Sequence, residues 1–248
     1  MGCFLVIVLF AAPSIGAGET VGQAAWDGLL QRHVSAGRVD YEGLAREGGT
    51  LTQYLASLED ADPARWSRNE QLAFWINAYN AVVVAQILER YPLKSVRQVG
   101  GFFDQFRHRI AGRQLTLNSI ETQGRVLGDF RIHFALVCAS SSCPPLRSEA
   151  YVADHLDGQL SDQARRFLAD PENGLRLDSA TLWVSKLFNW YTTDFVLAQR
   201  LDARRRLTAE KLIDALAPYL PPTVAAQARG RRLGLKFLNY DWSLNAAR

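Results

Sequence analysis

The chain has 248 residues, 48% of them hydrophobic, which excludes a disordered polymer and allows a sizeable core. Its 28 basic and 25 acidic residues leave a formal net charge of +3, too even a balance to imply a nucleic-acid partner or a charged membrane surface. The two basic runs, Arg204-Arg205-Arg206 and Arg229-Gly230-Arg231-Arg232, read as a solvated helix face and a loop.

At the start of the chain, residues 3–12 (CFLVIVLFAA) form an uncharged apolar run, shorter than the roughly 20 residues a bilayer span needs. That length, followed by Pro13 and the small residues Gly16 and Ala17, is expected of a signal peptide over residues 1–17, although no Lys or Arg precedes the run. Cys3 follows Met1-Gly2 too closely for a lipoprotein signal and falls within the discarded segment. The expectation is an exported, periplasmic protein that is not an integral membrane protein, because no later stretch reads as long and apolar enough to span. No repeat or low-complexity linker divides the remainder, so residues 18–248 read as a single globular domain.

Trp26, Leu29, Leu30 and Val34 share helical spacing and predict a first helix ending near Gly37. Val39-Asp40-Tyr41 is a short extended piece, and Leu51 to Leu58 a second helix. Ser67-Arg68-Asn69-Glu70 has the pattern of a capping box, and the apolar run after it predicts a long third helix, buried on most sides and ended by Pro92. Arg109 to Leu117, turning at Ala111-Gly112-Arg113, reads as a hairpin. A short helix follows from Leu117 to Leu127, with Asn118 as its cap and Glu121 in its first turn. Ile132 to Cys138 (IHFALVC) reads as a buried strand by composition. A helix over Glu149 to Leu168, a hairpin of residues 175–177 and 181–184, helices over 188–199 and 208–216, a break at Pro221-Pro222 and a last strand over 233–240 complete the chain. The class is α+β, a helix-rich domain around a small, largely antiparallel sheet.

Three constellations could carry chemistry. Asn77 and Asn80 lie three apart on one face of the long helix, beside Trp75. Asn is costly inside a buried helix unless its amide has partners, so the pair either orients a ligand or pins neighbouring loops. The second is His133 followed by Cys138 and Cys143. A thiol and an imidazole this close suggest a nucleophile and its base. On a regular strand, however, His133 and Cys138 are five apart and point to opposite faces. The competing reading is a Cys138–Cys143 disulfide, an even pair in an oxidising compartment. The third is Glu121, which could pair with His133 and raise its basicity. No metal-binding spacing, phosphate loop or other cofactor motif occurs. His33, His108 and His155 read as surface residues.

These segments, in this order, resemble the domain-of-unknown-function family numbered 547. The resemblance is carried by Val39-Asp40-Tyr41, the helix from Phe74 to Ala81, Leu117 through Glu121 and His133 to Ser140. It continues in Ser142-Cys143-Pro144, Leu187 through Phe195 and the terminal Tyr240 to Asn245. It implies an exported bacterial member, and the family brings no established activity. In the family's pattern a His follows the Glu of the short helix; here Thr122 stands in its place. More loosely, a polar-headed helix followed by a strand bearing His is the order of parts in papain-like and transglutaminase-like cysteine enzymes, although no Cys stands in this helix.

The expected function is a cysteine/histidine-based hydrolase or transferase of the cell envelope. Cys138 or Cys143 would be the nucleophile, His133 its base, Glu121 the orienter of that base, and Asn77 or Asn80 a polar stabiliser beside Trp75. On this reading, replacing His133 by Ala abolishes thiol reactivity. The alternative is a non-catalytic envelope binding or assembly module with a structural disulfide. Its partner would be an envelope protein, and Trp75, Trp183, Trp190 and Tyr191 would line a core or a cleft.

Overall fold

The structure is a computed structural model that describes residues 22–197 and 207–247. The expected signal segment, Arg204-Arg205-Arg206 and the end of the helix expected to reach Gln199 lie outside those residues.

Helix α1 (Gln23–His33) buries Trp26, Leu29 and Leu30. It stops before Val34 because Ala36 and Gly37 both take positive φ (48° and 77°) and turn the chain into a hairpin of β1 (Val34–Ser35) and β2 (Arg38–Val39). Asp40 caps α2 (Tyr41–Arg46), a helix with no counterpart in the sequence reading, and α3 (Gly48–Glu59) follows. The His33 imidazole reads wrongly as surface: it is mostly buried, with Nε2 2.7 Å from Glu47 Oε1.

The long helix α4 (Arg68–Leu88) starts at the expected capping box. The Glu70 N–H donates to Ser67 Oγ (3.3 Å), and the Ser67 N–H donates to Glu70 Oε2 (2.7 Å). From Leu72 to Ile87 every residue except Ala85 is buried, so α4 is the axle of the fold. Contrary to the sequence reading, this helix is long and apolar enough to cross a bilayer. Of its apolar window, 89% is covered by the protein itself, which is the signature of a core helix.

The hairpin of β3 (His108–Ile110) and β4 (Arg113–Leu115) forms as expected, and α5 (Leu117–Arg125) packs along α4. Its cap is Thr116, whose Oγ1 accepts from the Ser119 N–H, and not Asn118. Glu121 therefore lies past the first turn and is buried.

Residues 132–138 are not a strand. Phe130–Phe134 is a 3-10 turn, and irregular loop follows. A short apolar run does not by itself distinguish strand from other buried backbone. Asn80 supplies what a neighbouring strand would have supplied: its Nδ2 donates to Ala135 O (3.0 Å), and the Val137 N–H donates to its Oδ1 (3.0 Å). With three residues per turn, consecutive side chains of the 3-10 turn diverge by about 120°. Ile132 thus enters the core around α4, Phe134 enters a second core, and His133 is left between them.

The second core is built by α6 (Leu156–Leu168), the hairpin β5 (Leu175–Leu177) and β6 (Thr181–Val184), α7 (Leu187–Trp190), α8 (Thr192–Leu197) and α9 (Ala209–Leu216). Pro221-Pro222 does not break the chain but opens α10 (Pro222–Ala228), with proline at the tolerated first position. Strand β7 (Gly234–Phe237) pairs parallel to β6, closing a three-stranded sheet at the periphery. The class is α+β, with a helix rather than a sheet at the centre.

The last residues run back across the molecule. The Asn245 N–H donates to Ala139 O (3.0 Å), the Val39 N–H to Asn245 O (3.0 Å) and the Ser141 N–H to Ser243 O (2.8 Å). The C-terminal segment therefore ties the β1–β2 hairpin to the cysteine loop of residues 138–143.

Candidate active site

A cleft of about 570 Å³ opens between the two cores, and Glu121, His133, Cys138 and Cys143 all line it. Tyr79 from α4 contributes to its wall, and Trp190, Tyr240 and Trp242 gather on one side. Their ring centroids lie 4.7–5.7 Å apart, and Trp190 is 46% exposed.

Both cysteines are free thiols in the structure, so the bridge considered from sequence is not formed. They are nevertheless neighbours: the Cys138 main-chain N–H donates to Cys143 Sγ at 2.9 Å. Cys138 Sγ makes a triangle with two hydroxyls, 3.0 Å from Ser140 Oγ and 3.1 Å from Tyr240 Oη, which themselves lie 3.1 Å apart. Burial pushes the Cys138 thiol up. Hydrogen bonds from Cys143, Ser140 and Tyr240 outweigh that and bring it below the ordinary thiol value. Burial and the adjacent Cys138 sulfur hold Cys143 well above it. The two sulfurs are thus unequal, Cys138 giving up its proton more readily than Cys143.

The acid–base groups form a second cluster. His133 Nε2 lies 2.7 Å from Asp194 Oδ2, and its ring stacks on Tyr191 at 3.9 Å. Arg125 grips the same carboxylate with Nε to Oδ2 (2.8 Å) and Nη2 to Oδ1 (3.1 Å). Burial raises Asp194, but the hydrogen bonds from His133 and Arg125 more than offset it and hold the carboxyl well below the usual range. Burial lowers the His133 pKa, and Asp194 restores only part of the loss. A neutral imidazole facing an ionised carboxylate carries its proton on Nε2, which leaves Nδ1 as the basic nitrogen. Glu121 accepts from the Tyr191 hydroxyl (3.2 Å) and lies 3.6 Å from Arg125. Burial raises its pKa, partly offset by Tyr191 and Arg125.

The expected Glu121–His133 pairing is therefore replaced by Asp194–His133, with Tyr191 between the two carboxyl groups. Nor is His133 among the hydrogen-bond partners of the Cys138 sulfur, which are Ser140, Tyr240 and Cys143. Among the described residues no hydrogen bond joins the two clusters, which share the cleft.

The family described as Protein of unknown function, DUF547, matches residues 63–168. Over that span, which is less than half of the chain, the sequence is similar to this family. No curated protein and no solved structure matches the chain. The likeness to papain-like enzymes consequently rests on the order of parts alone, and the strand it requires does not form. The DUF547 span holds Glu121, His133 and both cysteines, whereas Tyr191, Asp194 and Tyr240 lie beyond it.

Within the DUF547 span the asparagines of α4 are used for structure. Asn77 clamps Tyr151: its Nδ2 donates to Tyr151 O (2.7 Å), and the Tyr151 N–H donates to its Oδ1 (3.0 Å). Asn80 clamps residues 135 and 137 in the same way. Neither lines the cleft, and Trp75 packs edge-on against Phe74 in the core. Trp183 lies on the outer sheet between Arg176 and Lys236. Asp194 and Tyr191 went unassigned from sequence. Their signal is the i, i+3 spacing of Tyr and Asp at a helix start, which puts both on one face. Tyr240 carried no local signal, since it reaches Cys138 across 102 positions.

Proposed function

We propose that the chain is a cysteine-dependent acyl hydrolase or acyltransferase of the cell envelope, with Cys138 as nucleophile and His133–Asp194 as the acid–base pair. The observation that carries the reading is the hydrogen-bond triangle around Cys138 Sγ in the same cleft as His133. The apolar run of residues 3–12 supports export.

In this scheme the thiolate is prepared by its own shell and not by His133. The Cys138 sulfur attacks an acyl carbonyl seated in the cleft, forming an S–C bond. As the tetrahedral intermediate collapses, the leaving group departs with a proton from Glu121, whose pKa burial raises, and a thioester remains. Water or an acceptor amine or hydroxyl then attacks the thioester. His133 Nδ1 takes its proton, the S–C bond breaks and the thiolate returns. Tyr240 and Ser140 stay at the sulfur throughout, while Asp194 fixes the imidazole tautomer. The aromatic wall of Trp190, Tyr240 and Trp242 seats the acyl or acceptor group.

The test uses p-nitrophenyl acetate with the full chain. The expected result is a burst of nitrophenol and a single acetyl group mapped to Cys138 by mass spectrometry. Cys138→Ala should remove both. His133→Ala should let the acetyl-enzyme form and slow its hydrolysis by about 10²-fold or more, while iodoacetamide still alkylates Cys138. Acetylation spread over lysines, with none at Cys138, would end the reading in favour of a binding module.

A further inference from the structure

We propose that Cys138 is also a site of oxidation by hydroperoxides, and that Cys143 resolves the product into a reversible Cys138–Cys143 disulfide. This goes beyond acyl transfer and rests on that reading only for the nucleophilic sulfur.

The second sulfur is built against the first. It accepts the Cys138 main-chain N–H at 2.9 Å, so it sits within a few bond lengths of the Cys138 side chain. The intervening loop folds back through Ala139, which takes the left-handed region at φ 57°. The return is held from outside: Ala139 O and the Ser141 N–H are both bonded to the C-terminal segment. The approach of the two sulfurs is therefore a property of the folded frame. Both residues line the cleft, which admits a molecule as small as hydrogen peroxide.

The chemistry balances in two steps. The Cys138 thiolate attacks one peroxide oxygen. The S–O bond forms, the O–O bond breaks and hydroxide leaves, so sulfur is oxidised by two electrons and the peroxide is reduced. The Ser140 and Tyr240 hydroxyls beside the sulfur can solvate the departing oxygen. Cys143 then attacks the sulfenic sulfur. The S–S bond forms, the S–O bond breaks, and the second hydroxide takes the Cys143 proton and leaves as water.

The asymmetry of the pair sets this order. Before oxidation the anionic Cys138 sulfur is one of the causes that keep Cys143 protonated. Converting Cys138 to a neutral sulfenic acid removes that charge and leaves burial as the remaining cause, so Cys143 gives up its proton more readily than before and attacks as the departing hydroxide takes it. The bridge takes the nucleophile out of acyl transfer and protects it from irreversible sulfinic oxidation.

The experiment treats the reduced full chain with hydrogen peroxide near neutral pH and follows intact mass and tryptic peptides. The expected product is lighter by two hydrogen atoms, carries a Cys138–Cys143 peptide link and returns to starting mass with dithiothreitol. Cys143→Ser should instead give a dimedone-trappable sulfenic acid at Cys138 that proceeds to sulfinic acid. Cys143→Ala provides the same readout should the Ser variant fail to fold. Wild-type protein that accumulates dimedone adduct or sulfinic acid without the link overturns the proposal. Peroxide and nitrophenyl acetate separate the two readings: a link without acetyl-enzyme sinks only the acyltransferase, and acetyl-enzyme without a link sinks only the switch.

Discussion

The Asn80 clamp allows a magnitude to be worked from the structure. Asn80 is 1% exposed, and its amide serves Ala135 and Val137, which are 1% and 2% exposed. In Asn80→Ala the Ala135 carbonyl and the Val137 N–H are left buried with no partner. Each such group costs about 1–3 kcal/mol, so the pair costs about 2–6 kcal/mol, before the small cavity is counted. A domain of this kind is stable by about 5–15 kcal/mol, so the variant should remain folded but marginal. With a urea slope of about 2 kcal/mol/M, the midpoint should fall by about 1–3 M at unchanged slope. Asn80→Asp should be no milder, because it keeps the acceptor and turns the donor into an oxygen facing Ala135 O. The assay is equilibrium urea unfolding followed by tryptophan fluorescence and far-ultraviolet circular dichroism. A loss below about 1 kcal/mol at unchanged slope would refute the claim that this amide replaces a strand's hydrogen bonds.

Tyr240→Phe removes a donor to the Cys138 thiolate, so the pH midpoint of iodoacetamide alkylation should rise toward the ordinary thiol value of about 8.5. An unmoved midpoint would show that the hydroxyl does not hold the thiolate. Asp194 titrates below its unfolded value, so its contribution to stability is present above about pH 4 and is lost as pH falls through the folded value. Asp194→Asn should therefore cost about 1–3 kcal/mol at neutral pH and much less at pH near 2, checked by urea unfolding at both. Trp190→Ala trims a half-exposed ring at the cleft rim and should raise KM for ester substrates several-fold with kcat little changed. An equal loss in kcat would place that ring at the reacting centre instead.

Much of the fold was legible because its signals were local. The Ser67–Glu70 box, the Ala111-Gly112 turn and the hairpin around Asp178 each form from contacts a few residues apart. The errors arise where a distant group decides the backbone. Residues 132–138 look like a strand because they are apolar, and Asn80, more than fifty positions earlier, pairs the backbone of Ala135 and Val137 where no neighbouring strand does. The candidate site divides the same way. Its chemistry-bearing types, Glu121, His133 and the two cysteines, stood out in one stretch, and the cleft does gather them. Their partners did not stand out, since Asp194 and Tyr240 come to His133 and Cys138 over 61 and 102 positions.

That division has a physical consequence for how the site is assembled. The turn that aims His133 is specified by its own geometry: three successive side chains diverge, two are apolar and find separate cores, and the third is left facing the cleft between them. A buried imidazole N–H without an acceptor would be a liability there, and α8 supplies Asp194, itself held by Arg125 from α5. The cysteine loop follows the same logic. Its main chain is paired by the C-terminal segment, and the same segment places Tyr240 at the Cys138 sulfur. Glu121, His133 and Cys138 thus each receive one hydrogen-bond partner from outside the DUF547 span, Tyr191, Asp194 and Tyr240, while Ser140 and Cys143 meet the Cys138 sulfur from within it. Reactivity in this cleft is a property of the two cores closed on each other, and a perturbation that parts them should silence His133 and Cys138 while leaving the packing of α4 intact.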